Sequence, residues 1–195
     1  NSNRGRHDLD KDPCHNSDIE SLSLGNTMLL TTAIDGFTLR AATRNDTATI
    51  FGFIKELADY EKLAHEVVAT ENTLDETLFG DTPYAHVIMA ELNGVAVGYA
   101  LFFHNFSTFT GRPGIYLEDL YVQPAHRGQG FGKLLLAYLA RKAVDMNCTR
   151  VEWSVLDWNQ PAIDFYRSIG ALPMDGWTVQ RLDGERLAGF AKEFK

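Results

Sequence analysis

The sequence predicts an α/β fold of the α+β type: one domain with a mixed, mostly antiparallel sheet flanked by helices. Three observations carry that expectation. Tyr116-Leu-Glu-Asp-Leu-Tyr-Val122 reads as a strand that runs through a glycine-rich loop into a helical stretch, Leu134 to Ala143. Asn93-Gly94, a strong two-residue hairpin signal, separates two strand-like runs, Tyr84 to Glu91 and Val95 to Phe103. Between Thr49 and Tyr60, Ile50, Phe53, Ile54 and Leu57 recur at helical spacing.

The remaining elements follow in order. Phe37 to Ala41 alternates as a short strand, and Thr43 or Asn45 is placed to cap the first helix. Thr70 to Phe79 reads as a second helix, with Thr70 and Thr73 as caps and Gly80 as its stop. A loop rich in Ser, Thr, Gly and Pro, Asn105 to Gly114, leads into the central strand. Arg150 to Leu156 reads as a strand after the long helix. Asn159 stands at an N-cap position, with Pro161 in the first turn of a helix from Ala162 to Ile169 that Gly170 stops. Trp177 to Leu182 reads as a final strand before a short helical tail. The order β-α-α-β-β-β-α-β-α-β confines crossovers to the centre of the sheet, and no internal repeat or second domain is visible.

The chain has 195 residues and a mass of 21.8 kDa, enough for one compact domain. Residues 1–36 read as a polar N-terminal tail, disordered, loosely docked or artificial in origin, and the domain as 37–195. The formal net charge of -8 argues against nucleic acid as a partner and is compatible with a cationic substrate. No apolar run approaches a membrane span and no signal peptide is visible, so the cytoplasm is the default compartment. Cys14 and Cys148 are too few for a disulfide framework. Cys14-His15 has no second pair, and His65, His86, His104 and His126 lack ligand spacing, so no metal is expected.

The glycine loop, Arg127-Gly-Gln-Gly-Phe-Gly132, precedes a helix whose first amides and dipole suit phosphate or pyrophosphate. It is not a P-loop: Arg127 stands where the first glycine belongs, and Leu134 follows Lys133 where a hydroxyl is required. It is not a dinucleotide fingerprint either, because the third glycine would fall at Lys133. A tight strand-to-helix turn that binds nothing is the bland alternative. Closely spaced glycines at a helix start, each costing up to about 1 kcal/mol relative to Ala, disfavour it.

Arg127-x-x-Gly130-x-Gly132 after a strand and before a helix resembles the coenzyme A loop of the GNAT N-acetyltransferases. Lys55-Glu-Leu-Ala-Asp-Tyr-Glu61, Tyr116-Leu-Glu-Asp119 and Trp158 to Ala171 are similar, in order and spacing, to the diamine and thialysine N-acetyltransferase branch, over roughly 37–182. The resemblance implies acetyl-CoA as cosubstrate, held by Leu120, Tyr121 and Val122 on a splayed central strand. It adds Arg127, Gly128, Gln129, Gly130, Phe131, Gly132 and Lys133 of the loop, with Asn159 and Phe165 beyond. It also implies a homodimer and direct attack without an acyl-enzyme. Glu118 is the candidate general base, through a water, and Tyr166 matches the residue that protonates the departing thiolate. Taken singly, Glu118 reads as a solvated or salt-bridged strand carboxylate and Tyr166 as a core aromatic.

On the amine side the resemblance implicates Tyr60, Glu61 and Phe109 together with Glu118 and Asp119. Strand alternation puts Asp119 on the face opposite Glu118, as a structural or substrate-orienting acid, unless a bulge turns it inward. The polyamine enzymes carry an acid in the loop before the central strand, whereas no carboxylate occurs from Asn105 to Tyr116. A small cationic or amino-acid-like amine is therefore expected over a long polyamine. The alternatives are acetylation of a protein N-terminus or lysine, and an acetyl-CoA binding module without catalysis.

Overall fold

A computed structural model describes residues 29–194. The expectations for the tail up to residue 28, Cys14 and His15 included, lie outside the described residues. The chain divides into two compact units, the first ending at Ser154 and the second beginning at Val155.

The first unit is built on a six-stranded sheet whose strands neighbour one another in chain order. These are β1 (Leu30–Thr31), β2 (Phe37–Ala41), β3 (His86–Leu92), β4 (Val95–Ser107), β5 (Arg112–Val122) and β6 (Val151–Trp153). Neighbours from β1 to β5 are antiparallel, and β5 and β6 are parallel. The parallel pair is joined by a crossover helix, as parallel pairs require.

The β3–β4 hairpin turns on Asn93 and Gly94, both at positive φ (52° and 79°), the conformation an Asn-Gly turn favours. Helix α1 (Thr47–Glu61) lays Ile50 and Phe53 onto Val87, Met89, Tyr99, Leu101 and Tyr121, with Ile54 and Leu57 packed against the same cluster. The helical stripe expected from sequence is therefore the buried face. Helix α2 (Glu71–Phe79) starts at Thr70, whose hydroxyl accepts from the Thr73 amide at 3.2 Å, and ends at Gly80. Helix α3 (Phe131–Asp145) is the crossover and buries Leu135, Leu136 and Leu139. Arg40 ties this framework together through ion pairs of 2.8 Å to Asp46 and to Glu91.

Three expectations change. The sheet has a strand, β1, that the sequence reading did not contain. The loop expected over Asn105 to Gly114 is mostly strand: pairing runs to Ser107↔Arg112 and leaves residues 108–111 as the turn. Pro113 is tolerated near the strand's start, and Gly114 faces Asn105 where a Cβ would collide with the Asn105 side chain. Polar, glycine-rich composition had hidden an ordinary hairpin.

The third change is in the second unit, which carries α4 (Gln160–Ser168) and α5 (Gly184–Phe190). Asn159 caps α4, its side-chain oxygen accepting from the Ala162 amide at 3.4 Å. The strand expected over Trp177 to Leu182 does not form, and Trp177 and Val179 are 74% and 81% exposed. Alternating apolar residues carry a strand preference that forms a strand only with backbone pairing, and no strand is formed over this segment.

Candidate active site

Glu118 lies at a break in the sheet. The β4–β5 register passes from Leu101↔Asp119 to Phe102↔Leu117, so Glu118 is the residue inserted by a bulge in β5. On the other side, the parallel ladder with β6 covers Ile115, Tyr116 and Leu117 and stops at Trp153. From Leu120 to Val122, β5 continues with no β6 neighbour among the described residues. Bulge and splay meet at one point, and Glu118 is exposed there.

The bulge resolves the placement of Asp119. Strict alternation would set Asp119 opposite Glu118, but the extra residue shifts the phase, the condition under which an inward Asp119 was expected. Asp119 pairs with Leu101 and accepts a 2.7 Å hydrogen bond from the hydroxyl of the fully buried Tyr99, on the sheet face that α1 covers. Burial raises the Asp119 carboxyl above its ordinary value, and the Tyr99 hydrogen bond opposes that shift. Glu61 is also raised, first by burial and then by the Asp119 charge, so the two carboxyls feel each other.

Glu61 is the last residue of α1, and no basic residue stands in that last turn. A carboxylate at a helix C-terminus opposes the macrodipole, which costs about 0.3–1 kcal/mol. Stability does not ask for an acid here. Beside it Tyr60 is half exposed, and the Arg127 guanidinium lies 4.7 Å from its ring centroid. Arg127 also reaches the ring of Tyr121 at 5.6 Å, and its Nε donates to the Val122 carbonyl at 2.9 Å. Tyr121 is core: its hydroxyl donates to Glu56 at 2.6 Å, and burial with that partner pushes its pKa up to about 12.

The glycine loop takes the geometry an anion site needs. Gly128 and Gly130 have φ of 76° and 88°, where side chains are strained. Nothing lies within 4 Å of a Cβ at Gly128, and a Cβ at Gly130 would meet only Ile34, at 3.6 Å. The first intrahelical bond of α3 is donated by Leu134 to Gly130, so the amides of Phe131, Gly132 and Lys133 precede it at the positive end of the dipole. Gln129 is exposed on the loop, while the Phe131 ring is buried, stacked at 4.0 Å on Phe37. Of Phe131, only the backbone faces the loop's task.

The β4–β5 hairpin carries Phe109 away from this point. Phe109 is 92% exposed in the β4–β5 turn, past Ser107↔Arg112, the fourth pair beyond Phe103↔Tyr116. At about 3.4 Å per residue that is roughly 15 Å along the hairpin. Tyr166, Phe165 and Asn159 belong to the second unit, where the Phe165 and Tyr166 rings stand 5.4 Å apart and Asn159 is the buried cap of α4. Sequence reading missed Tyr99. Its role depends on the β4–β5 register, which an unseen bulge displaces.

Comparison with known proteins places this geometry. The model of the acetyltransferase (GNAT) family matches residues 51–171. The thialysine N-epsilon-acetyltransferase of Bos taurus is 38% identical over 164 residues, spanning 78% of this chain and 96% of the relative. The L-ornithine N5-acetyltransferase of Arabidopsis thaliana is 33% identical, spanning 79% of this chain and 87% of the relative. Among solved structures, an integron cassette protein of V. cholerae superposes with a TM-score of 0.69 at 27% identity, covering 80% of this chain and 98% of that one. The family's cosubstrate is acetyl-CoA, whose diphosphate and pantetheine match an open glycine loop and a strand that parts from its neighbour. No helix among the described residues is long and apolar enough to cross a membrane. With the family model covering more than half of its length, the chain belongs to the GNAT acetyltransferases and is an acyltransferase acting on amines.

Proposed function

We propose that the chain moves the acetyl group of acetyl-CoA directly to the primary amine of a small cationic or amino-acid-like substrate. The observation that carries this reading is the bulge at Glu118, set where the β5–β6 ladder ends and beside the Asp119–Glu61 acid pair. An alkylammonium has a pKa of about 10.4 and must lose a proton before it attacks. Glu118, acting through a water, takes that proton. The nitrogen then adds to the thioester carbonyl, the C–S bond breaks, Tyr166 gives a proton to the sulfur, and the second proton shed by the attacking nitrogen restores the Tyr166 hydroxyl, giving the N-acetyl amine and CoA. The glycine loop binds the diphosphate through the amides at the start of α3, with Arg127 and Lys133 contributing charge. Leu120 and Val122 hold the pantetheine by their backbone.

Asp119 and Glu61 favour a cationic substrate by charge. The thialysine and ornithine acetyltransferases are named for amino acids that end in an amine, which supports the amino-acid-like choice. The second unit supplies Tyr166, Asn159 and Phe165 to the reading. A homodimer in the cytoplasm is its physiological setting, checked by light scattering and fractionation. The decisive experiment follows CoA-thiol release with acetyl-CoA and spermidine, putrescine, lysine, thialysine or a basic peptide. Turnover on a small amine, reduced about a hundredfold or more by Glu118→Gln and also lowered by Tyr166→Phe, is expected. Spermidine preferred by several tenfold would refute the substrate class. Acetyl-CoA binding with no turnover on any amine would leave a binding module.

A further inference from the structure

The sheet face that α1 covers carries an aromatic pair that the core does not use. Along β4, Tyr99 and Leu101 belong to the cluster packed against Ile50 and Phe53. Phe103 is the next residue on that face, paired with Tyr116 of β5, and the ring centroids lie 5.2 Å apart with the planes tilted by 30°. Neither ring belongs to the α1 cluster, and both side chains are partly exposed. Tyr116 is further fixed at its far end: its hydroxyl and that of Ser154, just past β6, lie 2.8 Å apart. Tyr116 is also paired with Glu152 of β6, one residue before the ladder ends at Leu117 and the bulge begins. Two residues along β5 from Tyr116 is Glu118, about 7 Å at strand rise.

A partly open aromatic shelf next to an acid cluster has a definite chemistry. Its rings pack against hydrocarbon and their faces attract a cation, and its fixed orientation removes the rotamer cost of gripping a ligand. A fully cationic chain gains little from it compared with an alkyl or aryl body. We propose that Phe103 and Tyr116, held in place by Ser154, are the specificity surface of the amine site. They take the carbon chain of a primary amine of about four or more carbons, or of an arylalkylamine, while its nitrogen lies at Glu118. This rests on the reading that Glu118 marks the amine site and adds which amines that site selects.

The test is a homologous series of unbranched primary amines, from ethylamine to hexylamine, with phenethylamine as the aryl probe. In the parent protein kcat/KM rises up to about three- to fourfold for each methylene that reaches the rings. Phe103→Ala and Tyr116→Ala flatten that rise, losing tenfold or more on hexylamine and phenethylamine relative to ethylamine. Tyr116→Phe keeps the ring and most of the rise. If an alanine variant does not fold, Phe103→Leu and Tyr116→Leu, checked by thermal melting, take its place and lose the phenethylamine preference first. Equal losses across the series, or none, overturn the proposal. So does a change confined to melting temperature or oligomeric state, because the shelf would then be a packing surface. Absence of turnover in the parent protein counts against the acetyl-transfer reading alone. The same series measured as dissociation constants by calorimetry still decides the shelf, by whether its slope survives in the variants.

Discussion

The guanidinium of Arg127 lies over the ring of Tyr60, 4.7 Å from its centroid, so the glycine loop and the end of α1 touch. Arg127 was expected to serve acetyl-CoA and Tyr60 the amine, and the contact joins the two sides. Tyr60→Leu is expected to raise the KM for acetyl-CoA several-fold, although the resemblance assigns Tyr60 to the amine. Arg127→Lys, which keeps the charge but loses the planar stack, is expected to do the same. Initial rates with both substrates varied check this; a Tyr60→Leu effect on the amine KM alone would contradict it.

Tyr99 donates to Asp119 and by that bond holds the carboxyl below where burial alone would put it. Tyr99→Phe removes the donor, so the Asp119 pKa rises further. Ionised Asp119 attracts a cationic amine, so its KM falls as pH rises through the Asp119 pKa. In Tyr99→Phe that fall shifts to higher pH, and the pH profile of kcat/KM for lysine reads the shift. Losing the bond also costs about 1–3 kcal/mol of stability, because a buried acceptor is left unsatisfied.

Glu61 closes α1 against the helix dipole and beside Asp119. Its raised carboxyl means that ionisation works against the folded state above the ordinary Glu range. Glu61→Gln is expected to stabilise the protein at neutral pH by a few tenths to about 1 kcal/mol while raising the KM for a cationic amine. Thermal melting and kinetics on the same preparation test the pair of effects. A destabilised variant with an unchanged KM would show a structural acid instead.

His86 and His104 stand 5.9 Å apart, ring to ring, and both are held below the ordinary value of 6.5. Burial is the main cause, with Lys142 nearby adding positive charge for both and His104 for His86. The unfolded chain therefore binds more protons than the fold just below pH 6.5. The contribution is fully present above that value and is lost as pH falls toward the depressed folded pKa values. Melting temperature should fall between about pH 7 and pH 5 more steeply in the parent than in a His86→Gln, His104→Gln double variant. Comparing the two slopes cancels the opposite trend from Asp119 and Glu61.

Much of this was legible because some signals are local. Asn93-Gly94 set one hairpin, Ile50 to Leu57 one helix face, and Asn159 a cap, each decided within a few residues of chain. The glycine loop was legible for the same reason, since φ at Gly128 and Gly130 is a property of those residues. The bulge was not, because it exists only between two strands. With it the placement of Asp119 and its bond to Tyr99 stayed open. Trp177 to Leu182 shows the reverse case, alternation without backbone pairing. Phe109 was assigned to the amine side through a loop that is a hairpin tip instead.

The single inserted residue at Glu118 makes the site a matter of counting. Which side of a sheet a residue occupies is a parity along its strand, and the insertion switches that parity midway along β5. Tyr116 and Asp119, an odd number of positions apart, thereby come to share a side. Substituting Glu118 leaves the parity alone and removes one carboxyl. Deleting it would leave Tyr116 and Asp119 two positions apart in a regular strand, both still on the α1 side and with Asp119 still opposite Leu101, so the acid and the ring would keep their places and the break in the ladder would be lost.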